Sequence, residues 1–176
     1  MGIFGEHSAL LVADMIFDFV DPAGKLYVPG IEAILPRLAA LIAEAHSTGT
    51  PVIYVNDSHE PDDEEFHKWG EHAVRGTPGT EVVKEIAPVE EDYVIEKRRY
   101  SAFYGTELDD LLKAAGVDLL VVTGTVTNIC VLVSAIEALM RGYKVTVPRD
   151  AVHALNDADQ RHALDQIERV FGGRVV

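Results

Sequence analysis

Five short apolar runs constrain the fold of this chain more than any other feature: Ser8–Ala13, Pro51–Val55, Tyr93–Ile95, Leu119–Thr123 and Lys144–Val147. They are rich in Val, Ile and Leu and largely lack polar alternation. A strand with water on one face alternates, whereas a strand covered on both faces does not. Between the first two runs, Ile31, Ile34, Leu35, Leu38, Leu41, Ile42 and Ala45 recur at the three- and four-residue spacing of one helix face. Pro36 suits the first turn of that helix and Gly49 its end. Further helices are predicted over Thr106–Ala115, Thr127–Arg141 and Asn156–Phe171. The one from Thr127 is apolar nearly all round, which predicts a buried central helix. Strands that alternate with helices give an α/β fold. The expectation is three α/β/α layers, with a central, mostly parallel sheet of five to six strands and helices on both faces.

The length, 176 residues, suits one domain spanning residues 1–176. With 29 acidic residues against 15 basic ones, the formal charge is −14. Non-specific nucleic-acid binding depends on Lys and Arg neutralising phosphates, so this balance argues against it. Attraction to anionic membranes is disfavoured for the same reason. No apolar run approaches the roughly 18 residues of a membrane span. The N-terminus has no cationic stretch of the kind that opens a signal peptide. Together these predict a cytoplasmic, reducing setting and a free thiol at the single cysteine, Cys130.

In open α/β sheets, ligands bind beyond the carboxyl ends of the strands. Asp14 ends the first run, Asp57 follows the second, Lys97 follows the third, and Gly124–Cys130 follows the fourth. Singly, each has a plain structural reading: Asp14 as a loop cap, Lys97 as part of a solvated charge cluster, Cys130 as a packing residue. Together they form one device, since a cysteine nucleophile needs a base to take its proton and a cation to stabilise the thiolate. Asp14 and Lys97 fill those roles. Cys130 falls in the first turn of a predicted helix, where the helix dipole favours the thiolate. Its backbone N–H is a candidate oxyanion donor. Thr127 is an N-cap by residue type.

The stretch from Asn56 to Ile86 is long and polar, and loops of that length in compact domains are usually functional. It holds Asp57-Ser58-His59, then Glu65 and His72, with His67 as a competitor. Imidazole and carboxylate together suit one divalent ion: zinc, iron or manganese. The chain has no G-x-S-x-G elbow, no phosphate-binding G-x-x-x-x-G-K-[ST], no H-E-x-x-H and no C-x-x-C.

Six groups of residues, in order, carry a resemblance that covers Ala9 to about Ala154. They are Val12-Ala13-Asp14 with Asp18-Phe19-Val20; Asp57-Ser58-His59; Trp69-Gly70-Glu71-His72; Gly76-Thr77-Pro78-Gly79; Lys97–Phe103 with Gly105-Thr106; and Thr127–Val131. In these the sequence resembles the isochorismatase-like cysteine hydrolases, a Rossmann-like fold, and within them the nicotinamidases. The resemblance implies a catalytic triad of Asp14, Lys97 and Cys130. It implies a cis peptide before Val126, with the N–H groups of Val126 and Cys130 forming the oxyanion hole. Asp57, His59 and His72 match the metal ligands of nicotinamidases, and Glu65 matches a fourth ligand of some members. Phe19, Trp69 and Tyr100 match aromatic positions around the pyridine ring. The implied activity is hydrolysis of a small-molecule amide, nicotinamide, to nicotinate and ammonia through a thioester on Cys130. One divalent ion, zinc before iron or manganese, is the only cofactor implied, and a homo-oligomer, dimer or tetramer, the implied assembly. The alternatives are a family member that hydrolyses another small amide, or a non-catalytic binding protein on the same fold. The sequence departs from the pattern at Ile16 and Phe17, where many relatives carry Gln and Asn. It departs again at Ser58, where an aromatic is common, and at Thr125 and Val126, which are bulkier than the usual pair.

Overall fold

The computed structural model describes residues 2–176. Five strands form on the apolar runs: β1 (Ser8–Ala13), β2 (Val52–Asp57), β3 (Tyr93–Lys97), β4 (Leu119–Thr125) and β5 (Lys144–Val147). The hydropathy pattern stops two residues short of the end of β2, β3 and β4. Those last residues, Asn56-Asp57, Glu96-Lys97 and Gly124-Thr125, are polar or small, yet their backbones stay in the ladder. Asp57 pairs with Lys97 and Ala13 with Gly124. Two further strands, β6 (Val152–His153) and β7 (Arg174–Val175), span two residues each. Six strands lie side by side in the order β3-β2-β1-β4-β5-β7, and β6 pairs with the far end of β4. Among the described residues, these strands pair only in parallel.

The helices are α1 (Phe17–Val20), α2 (Leu35–Thr48), α3 (Phe66–Trp69), α4 (Leu108–Ala114), α5 (Leu132–Met140) and α6 (Asp157–Asp165). Pro36 sits in the first turn of α2, and Gly49 ends it with φ 69°. The sheet divides two apolar cores. Leu10 and Val12 of β1 face Leu38, Leu41 and Ile42 of α2, while Ala9, Leu11 and Ala13 face Leu112 of α4, Ala135 of α5 and Leu164 of α6. That alternation in direction within an all-apolar strand is the geometry of a sheet covered on both sides.

Three expectations about helices need correction. The predicted Thr127–Arg141 helix begins as a π-helical turn, Thr127–Val131, and becomes α-helical only at Leu132. Thr127 lies inside that turn rather than capping it, and its buried Oγ1 has no hydrogen-bond partner. The helix is not wholly buried either, because Val133 and Met140 face outward from an outer-layer helix. α6 starts as predicted, with the Asn156 side chain accepting a hydrogen bond from the Asp159 N–H, then opens into a π-helical turn over Gln166–Val170. No helix among the described residues is long and apolar enough to cross a membrane.

Candidate active site

The ends of β1, β3 and β4 converge as the sheet register requires. Asp14 follows β1 with φ 56°, a left-handed conformation that Asp tolerates better than most residues. Its Oδ1 accepts a hydrogen bond from the Asp57 N–H at 2.7 Å. Its Oδ2 lies 3.0 Å from Lys97 Nζ and has no hydrogen-bond partner of its own. Lys97 Nζ also donates to Asp57 Oδ1 and stands 3.7 Å from Cys130 Sγ. Asp14, Lys97 and Cys130 are all buried.

This close approach needs Gly124. Its φ is 102°, and a Cβ there would fall 2.1 Å from the Ala13 carbonyl oxygen. A side chain would therefore drive β4 away from β1 just beside Asp14. Beyond Gly124, the Thr125–Val126 peptide is cis, as the resemblance implied, and the π-helical turn then delivers Cys130. π-helical insertions of this kind are frequent at functional sites.

Charge in the cluster is set by burial and by its neighbours. Burial, joined by the Asp57 carboxylate, raises Asp14 to about 6 against the pull of Lys97. Burial also works against the Lys97 charge, but Asp14 and Asp57 outweigh it and hold the ammonium well above its ordinary value. Burial pushes the Cys130 thiol well above its usual range, and the nearby carboxylates add to this while Lys97 opposes. Burial thus outweighs the pull toward the thiolate, and Cys130 rests as the thiol.

A second cluster adjoins the first. Asp57, His59, Glu65 and His72 each place one ligand-type atom within 4.8 Å of all the others. Asp57 belongs to both groups, since Oδ1 accepts from Lys97 while Oδ2 lies 3.8 Å from His59 Nε2. Burial opposes its ionisation, yet Lys97 and His59 hold it below the ordinary carboxylate value. His72 uses Nδ1 against the Gly70 carbonyl at 2.8 Å, which leaves Nε2 for the cluster. His59 is fully buried; Nδ1 stands 3.3 Å from Asp63 Oδ2 but outside hydrogen-bond geometry, and Nε2 has no partner. Buried polar atoms normally find partners, so the orphaned Nε2 among carboxylates fits a bound cation. His67 is exposed on α3 and stands outside the cluster, which removes it as a competitor.

One buried carboxylate, absent from the candidate list drawn from the sequence, sets this loop. Asp18 Oδ2 accepts from the Ala73 N–H at 2.7 Å, and Oδ1 accepts from the Lys25 N–H at 3.2 Å. Ala73, next to His72, is held at φ 42°. Gly79 packs so tightly on Asp18 that a Cβ would meet Oδ2 at 2.3 Å. An acid between two phenylalanines was the available signal.

Asp14 and Cys130 of the first cluster and Asp57, Glu65 and His72 of the second line one cavity of about 80 Å³, several times what a water needs. Phe19, Trp69 and Tyr100 line it as the resemblance implied, with Trp69 Nε1 donating to the Tyr100 hydroxyl at 3.1 Å. Leu26, Tyr27, Val28, Ile129 and Leu155 also contribute to the apolar wall and were not foreseen. Among the described residues, no Lys or Arg lines it. Ile16, Phe17 and Ser58, three of the departures from the family pattern, lie outside the wall, and Ile16 and Ser58 are buried elsewhere.

The sequence matches the family described as Isochorismatase domain over residues 8–175. The chain belongs to the isochorismatase family. Among solved structures of the family's fold, N-carbamoylsarcosine amidase from Thermoplasma acidophilum is 42% identical. That match has a TM-score of 0.88 and covers 96% of this chain and 94% of that one. Pyrazinamidase of Pyrococcus horikoshii in complex with zinc is 32% identical, with a TM-score of 0.91 and coverage of 97% and 98%. Maleamate amidohydrolase of Pseudomonas putida is 31% identical over 96% of this chain and 83% of its own. The isochorismatase-family fold thus comes here with relatives named as amidohydrolases.

Proposed function

We propose that this protein is a metal-dependent amidohydrolase of the nicotinamidase type, which converts nicotinamide to nicotinate and ammonia and serves NAD salvage. The observation that carries the reading is that Asp57, Glu65 and His72 line the same cavity as Asp14 and Cys130. Asp57, His59, Glu65 and His72 would hold one divalent ion, zinc before iron or manganese. When bound, such an ion supplies a Lewis acid that positions and polarises a ring nitrogen.

The remaining chemistry belongs to the chain. Phe19, Trp69 and Tyr100 flank the ring. Asp14 Oδ2 takes the Cys130 proton as sulfur attacks the amide carbon. The carbonyl electron pair moves to oxygen, which the N–H groups of Val126 and Cys130 receive; one such donor is worth about 3–4 kcal/mol. Asp14 returns the proton to nitrogen, the C–N bond breaks, and ammonia leaves a thioester. Water then gives a proton to Asp14 and attacks the thioester carbon. The C–S bond breaks, Asp14 passes that proton to the departing sulfur, the acid is released, and the thiol is restored. Lys97 stays protonated throughout and offsets the charge on Asp14 and on the transient thiolate.

A second reading takes a carboxylate-bearing amide, as the names of the maleamate and N-carbamoylsarcosine relatives suggest. The cavity wall opposes it, with three carboxylates, Asp14, Asp57 and Glu65, and no Lys or Arg to receive an anion. The test is ammonia release from nicotinamide, maleamate and N-carbamoylsarcosine by metal-replete and chelator-treated protein. Release from nicotinamide alone, abolished by the chelator, is the expected result. Release from either acid with none from nicotinamide would move the assignment to the second reading.

A further inference from the structure

Asp63 belongs to neither cluster, yet it touches the residues that deliver two members of the second. Its side chain is completely buried. Oδ1 accepts from the Glu65 N–H at 3.0 Å, closing the turn that presents Glu65 to the cavity. Oδ2 lies 3.3 Å from His59 Nδ1. From the outer side, Arg99 Nη1 reaches both oxygens at 3.0 and 3.1 Å, and Arg98 Nη2 lies 3.4 Å from Oδ2. Two half-exposed arginines thus fix one buried carboxylate. A carboxylate left alone at that depth would be costly, so the arginines are what allow it to stay ionised there.

We infer that Asp63 is a positioning residue for the cation site: it selects the Nδ1–H form of His59, turns Nε2 toward Asp57 and His72, and at the same time fixes the backbone that carries Glu65. The inference rests on the metal-site reading given above. The geometry supports it from both sides of the His59 ring. Nδ1 faces Asp63 at 3.3 Å, and Nε2 faces Asp57 Oδ2 at 3.8 Å. A ligating histidine usually gives its other N–H to a carboxylate or carbonyl, which sets the ring's tautomer and angle. His72 does this with the Gly70 carbonyl. Asp63 is the carboxylate placed to do the same for His59, 3.3 Å from Nδ1 though short of hydrogen-bond geometry, and Arg99 extends the chain of contacts to the strand end that carries Lys97. The arginines of the Lys97-Arg98-Arg99 run, which by themselves read as a solvated charge cluster, therefore anchor the metal loop.

Asp63→Asn is the decisive variant. Asn keeps the size and the oxygen that accepts from Glu65, and it loses the anion that faces His59 and Arg99. Zinc affinity is measured by competition with a chromogenic chelator, and the geometry is read from the visible ligand-field bands of the cobalt-substituted protein. The expected result is zinc binding weakened by about 10–100-fold, with shifted cobalt bands and unchanged metal-free secondary structure. Arg99→Met examines the same contact from the surface and is expected to weaken zinc by about threefold or more, so the inference stays testable if the Asn variant fails to fold. A folded Asp63→Asn protein with wild-type zinc affinity and wild-type cobalt bands overturns the inference alone. Wild-type protein that binds neither ion overturns the metal reading and takes the inference with it.

Discussion

The two clusters meet at Asp57 but are built differently. Asp14, Lys97 and Cys130 come from three separate strand ends, and the sheet register brings them together: Asp57 beside Lys97, Ala13 beside Gly124. The second cluster comes from one continuous stretch, residues 57–72, of which only Asp57 lies in a sheet strand and which otherwise holds the short helix α3. His59 is tied to the returning chain by backbone hydrogen bonds with Ala73 and Arg75. Buried carboxylates pin the rest, Asp18 behind His72 and Asp63 behind His59. One site is therefore set by the sheet register and the other largely by side-chain pins, and substitutions should separate them.

Cys130→Ala should have the largest effect. Turnover of nicotinamide falls by at least about 10⁴-fold in a steady-state ammonia assay, while zinc binding by chelator competition is unchanged. Retained turnover would leave only the second cluster as a source of chemistry. Lys97→Met should damage both clusters, because it leaves the buried carboxylates of Asp14 and Asp57 facing each other without a cation. Stability in urea is expected to fall by about 3–5 kcal/mol. A fall below about 1 kcal/mol would show that the strand ends do not depend on this charge. Asp18→Ala should touch the second cluster first, since it strands the N–H groups of Ala73 and Lys25. A loss of about 2–4 kcal/mol in thermal or urea unfolding is expected, together with weaker zinc binding.

The pH profile distinguishes the clusters more gently. Asp14 sits at about 6, above an ordinary carboxylate, so below that pH it holds its proton and cannot accept one from Cys130. The value of kcat/KM for nicotinamide should drop about tenfold per unit as the pH falls below about 6. A profile flat down to pH 5 would remove Asp14 as the base. Leu155→Ala, at the half-exposed rim of the cavity, should matter least. KM is expected to rise by about threefold with kcat unchanged, the pattern of lost uniform binding.

Topology was legible in the sequence wherever burial was two-sided. β1 and β5 run over the residues their apolar patterns predicted. β2, β3 and β4 were read two residues short because their ends trade apolar side chains for the polar ones that form the site. The π-helical turn at Thr127 could not be read from periodicity, since it depends on how β4 leaves the sheet. Cavity-wall residues such as Tyr27 and Leu155 stand in irregular segments where no period marks a direction. Asp18 and Asp63 went unassigned for a related reason: their work is hydrogen bonding to backbone and ring atoms brought close only by the fold. Cys130 falls in the turn after β4 that the sequence marked, and its burial suppresses ionisation in a way the sequence could not show, because a helix start can be read from sequence and full desolvation cannot.

That resting thiol has a consequence for how the protein ages. Peroxide and most electrophiles react with thiolates that solvent can reach. Cys130 lines the cavity, so small molecules can reach it, but burial holds it in its neutral form and it fails the first condition. The only thiol of the chain should therefore oxidise more slowly than an ordinary cavity thiolate, with no second cysteine needed to repair it.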